Sequence, residues 1–417
     1  MTFISIRHSG PKITGMTRKD FNRREKDQMA IQKKSGIQTF LIAAFLIVLT
    51  MASQASASSP SMLQDLKVGG AYLGLVNFFD VDAARPDETK HDQFDFAVNL
   101  NFDWQLRDNI VGVVQIQSGT GGGSLGFAGP ESAVTDLNLT FSGSPSGINT
   151  DVVIGSFDTP FGEQTGYLTN NANSFGNPLF LNSLFYGAFG GTVGTLNTLG
   201  VMGIFETKAA DITLAVTNGG DESSSNNGGN FEYVVRAETG AVLDALRFGG
   251  SYMAGDDTFQ PDPTKADGFA SDFKGWMADA HYAFSETSHI KGYVGEVSYG
   301  DNNVATQDDV LIWMGEAAYG KNDWQLAVRV SGWKPDDGNG DGVGMSGAIP
   351  NPGLSSGWED LNPNTDQKVT RIQLGASWQL YDHLTAKVAY VSDDYDRPTA
   401  GRSTDVDGWM FLLNGSF

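Results

Sequence analysis

Few residues of this chain could do chemistry, and the common catalytic arrangements are missing. Beyond residue 58 there are four histidines, His91, His281, His289 and His383, none at metal-ligand spacing, and there is no nucleophile elbow or phosphate-binding glycine loop. Asp279 and His281 stand two apart, which puts them on one face of a strand, but a hydrolase also needs a nucleophile beside the histidine and none is evident. The metal motif is Asp337-x-Asn339-x-Asp341-Gly342, the opening of a calcium loop whose twelfth position is Ala348 in place of the bidentate glutamate. It reads as an acidic turn, with a calcium site as the alternative. What remains is charge. Asp95, Asp103, Asp136, Asp158 and Glu163 fall in the first half, and Arg236, Arg247, Arg329, Arg371 and Lys387 in the second. From Asp108 to Thr207 there is no lysine or arginine. Charges sorted in this way act through their field rather than by making bonds.

The elements that must hold these charges are strands. In DQFDFAVNLNFDWQ, Phe94, Phe96, Val98, Leu100, Phe102 and Trp104 share one face, and Asp95, Asn99, Asn101, Asp103 and Gln105 the other. TRIQLGASWQL divides in the same way, with Ile372, Leu374, Ala376, Trp378 and Leu380 opposite Arg371, Gln373, Ser377 and Gln379. Strands are expected over 66–78, 92–106, 109–118, 132–142, 150–158, 196–206, 209–218, 229–239, 243–254, 272–284, 287–299, 308–320, 322–333, 366–380, 382–393 and 406–417. A soluble sandwich also alternates. These strands, however, have the length that crosses a bilayer at a tilt, their number is even, and short turns such as RDN, GKND and YD follow the even-numbered ones while long connections follow the odd. The fold expected is all-β, a sixteen-stranded antiparallel transmembrane barrel. The acidic clusters Asp256, Asp257, Asp262, Asp267 and Asp393, Asp394, Asp396 are expected in solvated loops.

Composition agrees. The chain has 52 glycines, 26 phenylalanines, 8 tryptophans, no cysteine and a formal net charge of -22. Lack of cysteine excludes a disulfide framework and thiolate metal sites, and the acidity disfavours nucleic acid. The one long apolar run, GIQTFLIAAFLIVLTMASQASA, follows Lys33 and Lys34 and ends on Ala55-Ser56-Ala57, the layout of a secretory signal cleaved before Ser58. Residues 1–28 are too charged to belong to it. Met29 is therefore the expected start, 29–57 the signal peptide and 58–417 a single barrel domain. Residues 1–57 hold 9 of the 27 basic and 3 of the 49 acidic residues, which leaves 18 against 46 in the remainder.

A leader, sixteen alternating strands and a last strand carrying Trp409, Phe411, Leu413 and Phe417 resemble the Gram-negative outer-membrane porins. The resemblance implies a water-filled channel for small hydrophilic solutes and ions, a homotrimer, contact with outer-membrane lipid and lipopolysaccharide, no cofactor, and a terminal aromatic strand that the barrel-assembly machinery reads. It also implies that the third extracellular loop, here the apolar segment after strand five, folds inward and narrows the pore. Asp158, Pro160, Phe161, Gly162 and Glu163 are similar to the acidic Pro-Phe-Gly segment of such loops. Within porins, Gly155, Phe157, Pro160 and Phe161 resemble a Gly-x-Phe-x-x-Pro-Phe segment of the phosphate-selective group, but the loop lacks the basic residues that anion selection needs. With an acidic loop facing a basic wall, a transverse field and a modest cation preference are expected. Alternatives are that each arginine simply pairs with a carboxylate, that the loop packs on a neighbouring subunit, or that the barrel is a hydrolase or a scaffold sheathing a partner protein.

Overall fold

A strand with an apolar group at every second position must bury that face or present it to lipid. The computed structural model describes residues 66–81, 90–119, 133–162, 179, 197–221, 231–239, 245–258, 270–299, 310–335, 368–396 and 404–416. They form β1 (Leu66–Val81), β2 (Lys90–Arg107), β3 (Ile110–Gly119), β4 (Ala133–Gly143), β5 (Asn149–Asp158), β6 (Asn197–Glu206), β7 (Ala210–Asp221) and β8 (Glu232–Thr239). The second half follows with β9 (Leu246–Thr258), β10 (Ala270–Ser285), β11 (Ser288–Tyr299), β12 (Val310–Lys321), β13 (Trp324–Pro335), β14 (Lys368–Tyr381), β15 (Leu384–Asp396) and β16 (Thr404–Ser416). Each strand pairs with the next, and β16 pairs antiparallel with β1, so the sheet closes. Closure gives every backbone N–H and C=O a partner without water. The barrel belongs to the second of two units, Ala55–Phe417; Met1–Gln54, and with it the expected start and signal segment up to Ala57, lies outside the described residues.

The apolar stripe faces outward all round. Leu137 is 60% exposed and Trp378 61%, values that no soluble core tolerates. Many inward positions are polar, and on β12–β15 Arg329, Arg371 and Asp393 are fully buried. Trp409, Phe411 and Leu413 of β16 project outward and face Phe78, Val76 and Gly74 of β1. The Phe78 and Phe411 rings meet edge to face at 6.1 Å. Phe417 lies outside the described residues.

Strand ends deviate from expectation by a few residues, and two deviations matter. β9 runs to Thr258 and β15 to Asp396, so Asp256, Asp257, Asp393, Asp394 and Asp396 stand on strands and not in loops. The reason at β15 is an ion pair. Asp393 points inward onto Arg371, and a neutralised carboxylate can continue a wall where an isolated one ends it.

Candidate functional site: the inner wall and the third loop

The third loop leaves β5 through two glycines with backbone that other residues resist. Gly155 has φ +128°, and a Cβ there would stand 2.2 Å from the Leu137 carbonyl oxygen of β4. Asn138 secures the irregular turn of the strand by donating from Nδ2 to the Ser156 carbonyl, 2.9 Å. After β5 the chain tightens around Pro160, where the Phe161 N–H donates to the Thr159 carbonyl at 2.8 Å, and Phe161 is buried. Gly162 follows with φ +72°. Its N–H donates to Ser251 Oγ of β9 at 2.9 Å, and a Cβ on it would sit 2.3 Å from Met277 Sδ of β10. Ser251 and Met277 are inward-facing, so the loop enters the barrel and reaches the far wall. Leu179 makes the same point at a second place. It is wholly buried against Ala318 of β12 and Ala327 of β13, both on the inner face.

Three charged clusters occupy that far wall. Arg236 of β8 binds Asp279 of β10 through both terminal nitrogens, at 2.6 and 2.9 Å, and also donates to Ser251 (3.1 Å) and Glu238 (2.8 Å). The pair bridges across β9 because Gly249 lies beneath it; a Cβ there would meet Asp279 Oδ1 at 2.3 Å. Glu238 also accepts from Arg247 at 3.3 Å. In the second cluster Glu316 of β12 receives Arg329 Nε at 2.6 Å, lies 2.8 Å from His289 Nε2 and has Lys291 Nζ 3.6 Å away. The His289 ring stands edge to face with His281 at 5.4 Å. In the third, Arg371 forks onto Asp393 at 2.7 and 2.6 Å. Fork-to-carboxylate pairs of this kind are the strong ones, and their rigidity suits a wall that must keep its shape.

The residues anticipated from sequence fall into four groups. Arg236, Arg247, Arg329, Arg371 and Lys387 all lie on the inner face of β8–β15, the first four within reach of carboxylates and Lys387 buried between Ser377 and Leu412 in register. Asp103 is exposed on β2, while Asp95 and Asp136 stand on β2 and β4 opposite Leu75 and Gln115 in register. Asp158 ends β5 opposite Asn197, and Pro160, Phe161 and Gly162 form the inward turn. Glu163 and the acidic segment of Asp337, Asn339 and Asp341 lie outside the described residues. Sequence reasoning passed over the partners Glu238, Lys291 and Glu316 and the loop's contacts Ser251 and Met277, and it set Asp279 beside His281 where the structure pairs it with Arg236. Nor is the lining uniformly polar, since Ile312, Met314, Ala389, Val391, Met410 and Leu412 are also buried on the inner side of β12–β16.

What the described residues form is a charge-lined inner wall with the start of the third loop seated against it. The sequence pattern of the family described as phosphate-selective porin O and P matches residues 265–413. Among solved structures, OprB of Pseudomonas putida is similar at 12% identity and TM-score 0.57, over 85% of this chain and 94% of that one. The outer membrane channel DcaP of Acinetobacter baumannii is similar at 12% and 0.56, over 85% and 97%. An anion-selective porin from Comamonas acidovorans is similar at 10% and 0.56, over 84% and 99%. At such identities the likeness to these structures is one of fold. None of the curated proteins matches this chain in sequence. The fold is that of the outer-membrane porins, a closed antiparallel barrel of sixteen strands, and over residues 265–413 the sequence resembles the phosphate-selective porin family.

Proposed function

We propose that the chain forms a passive channel through which small hydrophilic solutes and ions diffuse across the outer membrane, with a modest preference for cations, and that it works as a homotrimer without catalysing a reaction. The observation that carries this is the contact of Gly162 with Ser251, by which the third loop turns into the barrel against a charged wall. A passage selects by its width and by the charges at its narrowest point. The loop segment 159–196 contains no lysine or arginine, and Arg236, Arg329 and Arg371 on the inner wall each face a carboxylate that offsets their charge. The chain as a whole carries a formal charge of -22. These features favour cations, although the family pattern is named for phosphate selectivity and one similar structure is titled anion-selective.

Outer-membrane lipid and lipopolysaccharide are the surroundings in this reading, and Trp409, Phe411, Leu413 and Phe417 form the strand offered to the assembly machinery. The purified barrel in planar bilayers is expected to give discrete ohmic steps and, in a salt gradient, a reversal potential of cation sign. A barrel that folds yet never conducts would overturn the channel, and an anion-sign potential would overturn the selectivity.

A further inference from the structure

Two members of the cluster around Glu316 are imidazoles, and the other members are not. Lysine, arginine and glutamate side chains ordinarily keep one charge between about pH 5 and pH 8, whereas histidine changes its charge within that range. His281 of β10 and His289 of β11 are diagonal neighbours on the inner face, half-buried, with ring centroids 5.4 Å apart. Each described strand packed around them turns one charged group toward the pair. β9 supplies Arg247, opposite His281 in register, together with its partner Glu238 of β8. On β10 it is Asp279, two residues before His281 on the same face and bound to Arg236. β11 supplies Lys291, opposite His281. From β12 comes Glu316, whose Oε1 lies 2.8 Å from His289 Nε2 and 3.6 Å from Lys291 Nζ, and from β13 Arg329, which donates to Glu316. A carboxylate held by Arg329 only accepts, so His289 donates from Nε2 and takes an added proton on Nδ1.

The third loop touches the wall beside these rings. Leu179 is wholly buried against Ala318 and Ala327; Ala318 stands opposite His289 and two residues from Glu316, and Ala327 two residues from Arg329. We infer that His281 and His289 are specificity-determining residues of the channel, a protonatable pair on the inner wall whose charge sets how strongly cations are preferred. The inference rests on the channel proposed above and adds the residues that make its selectivity follow pH. With both rings neutral, Lys291 and Arg329 outweigh Glu316 by one charge; with both protonated the excess is three. Each added unit charge repels a cation and attracts an anion passing within about 8 Å, in water, by a factor of about two. Cation preference therefore falls as pH falls.

Reversal potentials of the purified barrel in planar bilayers test this, in a gradient near about 0.01 M salt, where the screening length is about 30 Å. Between about pH 8 and about pH 5 the wild-type cation-to-anion permeability ratio is expected to drop at least about fourfold. His281→Gln with His289→Gln leaves an amide for Glu316 and should hold the ratio level across that range. His281→Lys should show, already at the higher pH, much of the shift that wild type shows only in acid. His383→Gln, in the turn between β14 and β15, should titrate as wild type does. Should the double variant not fold, each single glutamine variant is expected to keep one proton's share of the shift. A wild-type ratio that stays level or rises in acid overturns the inference and leaves the channel standing. A drop that survives in the glutamine variants overturns the assignment to this pair, and a folded barrel silent at both pH values overturns the channel and the inference together.

Discussion

The wall from β3 to β7 and the wall from β8 to β15 are made by the same alternation but fill it differently. On the first, inward positions include amides and hydroxyls such as Asn138, Thr140 and Thr213 beside Val153 and Ala215, and outward ones are aliphatic or phenylalanine. On the second, inward positions hold arginines against carboxylates, and outward ones hold tryptophan and tyrosine. Period two determines only that there are two faces. Which residue types fill them determines what each face can meet: lipid outside, or the chain's own third loop inside.

The largest effect that would sharpen this contrast is loss of one partner from a buried pair. Asp393→Ala strips Arg371 of its carboxylate and is expected to cost about 3–5 kcal/mol, read as a lowered urea midpoint of the barrel in lipid vesicles. The double change Arg371→Met with Asp393→Leu should recover most of it. On the other wall Thr140→Val should stay within about 0.5 kcal/mol. Equal midpoints for Asp393→Ala and Thr140→Val would erase the contrast.

A smaller effect is expected where the walls are joined by the loop. Gly162→Val drives a side chain into Met277 at a backbone position with φ +72°, so the loop should lift and single-channel conductance should rise. Ser251→Ala removes the acceptor of the Gly162 N–H and one of the four contacts of Arg236, each worth about 1 kcal/mol, and should raise conductance less. Wild-type conductance in both variants would mean the loop does not set the constriction. The smallest effect concerns ions: Asp158→Asn with Glu163→Gln should lower the cation-to-anion permeability ratio at low salt and do little at high salt, where fields are screened within about 3 Å at 1 M. Asp394→Asn, exposed on the outer face, should change the ratio less. The reverse order would take the loop charges out of the selectivity.

Strand number and facing were legible because an outward stripe repeats sixteen times and one slip would invert it. Part of the charged wall was legible in principle. Glu316 and Arg329 lie five residues before and after the tight turn between Lys321 and Trp324, so counting from that turn pairs them. The same count fails for Arg371. Ten residues on from the turn at Tyr381 and Leu384 stands Asp394, but a bulge near Gln379 shifts the register and brings Asp393 opposite. Arg236 and Asp279 are harder still, since they meet across an intervening strand, over Gly249, and no pairing rule links β8 with β10. The Gly162–Ser251 contact depends on where a loop lands, which alternation does not address.

The pairing of β1 with β16, Ala71 opposite Ser416 and Val81 opposite Val406, gives the order of synthesis a meaning. β1 emerges early and waits for the partner made last of the sixteen, so a ribosome that stops between Asp396 and Thr404 yields a chain with two open edges, β1 and β15, and no internal piece that can close on itself. Each edge is a row of unsatisfied N–H and C=O groups that hydrocarbon cannot accommodate and that another strand can. A nonsense change near the C-terminus is therefore as damaging as one at the start, and more hazardous, because it leaves fifteen strands looking for an edge to join.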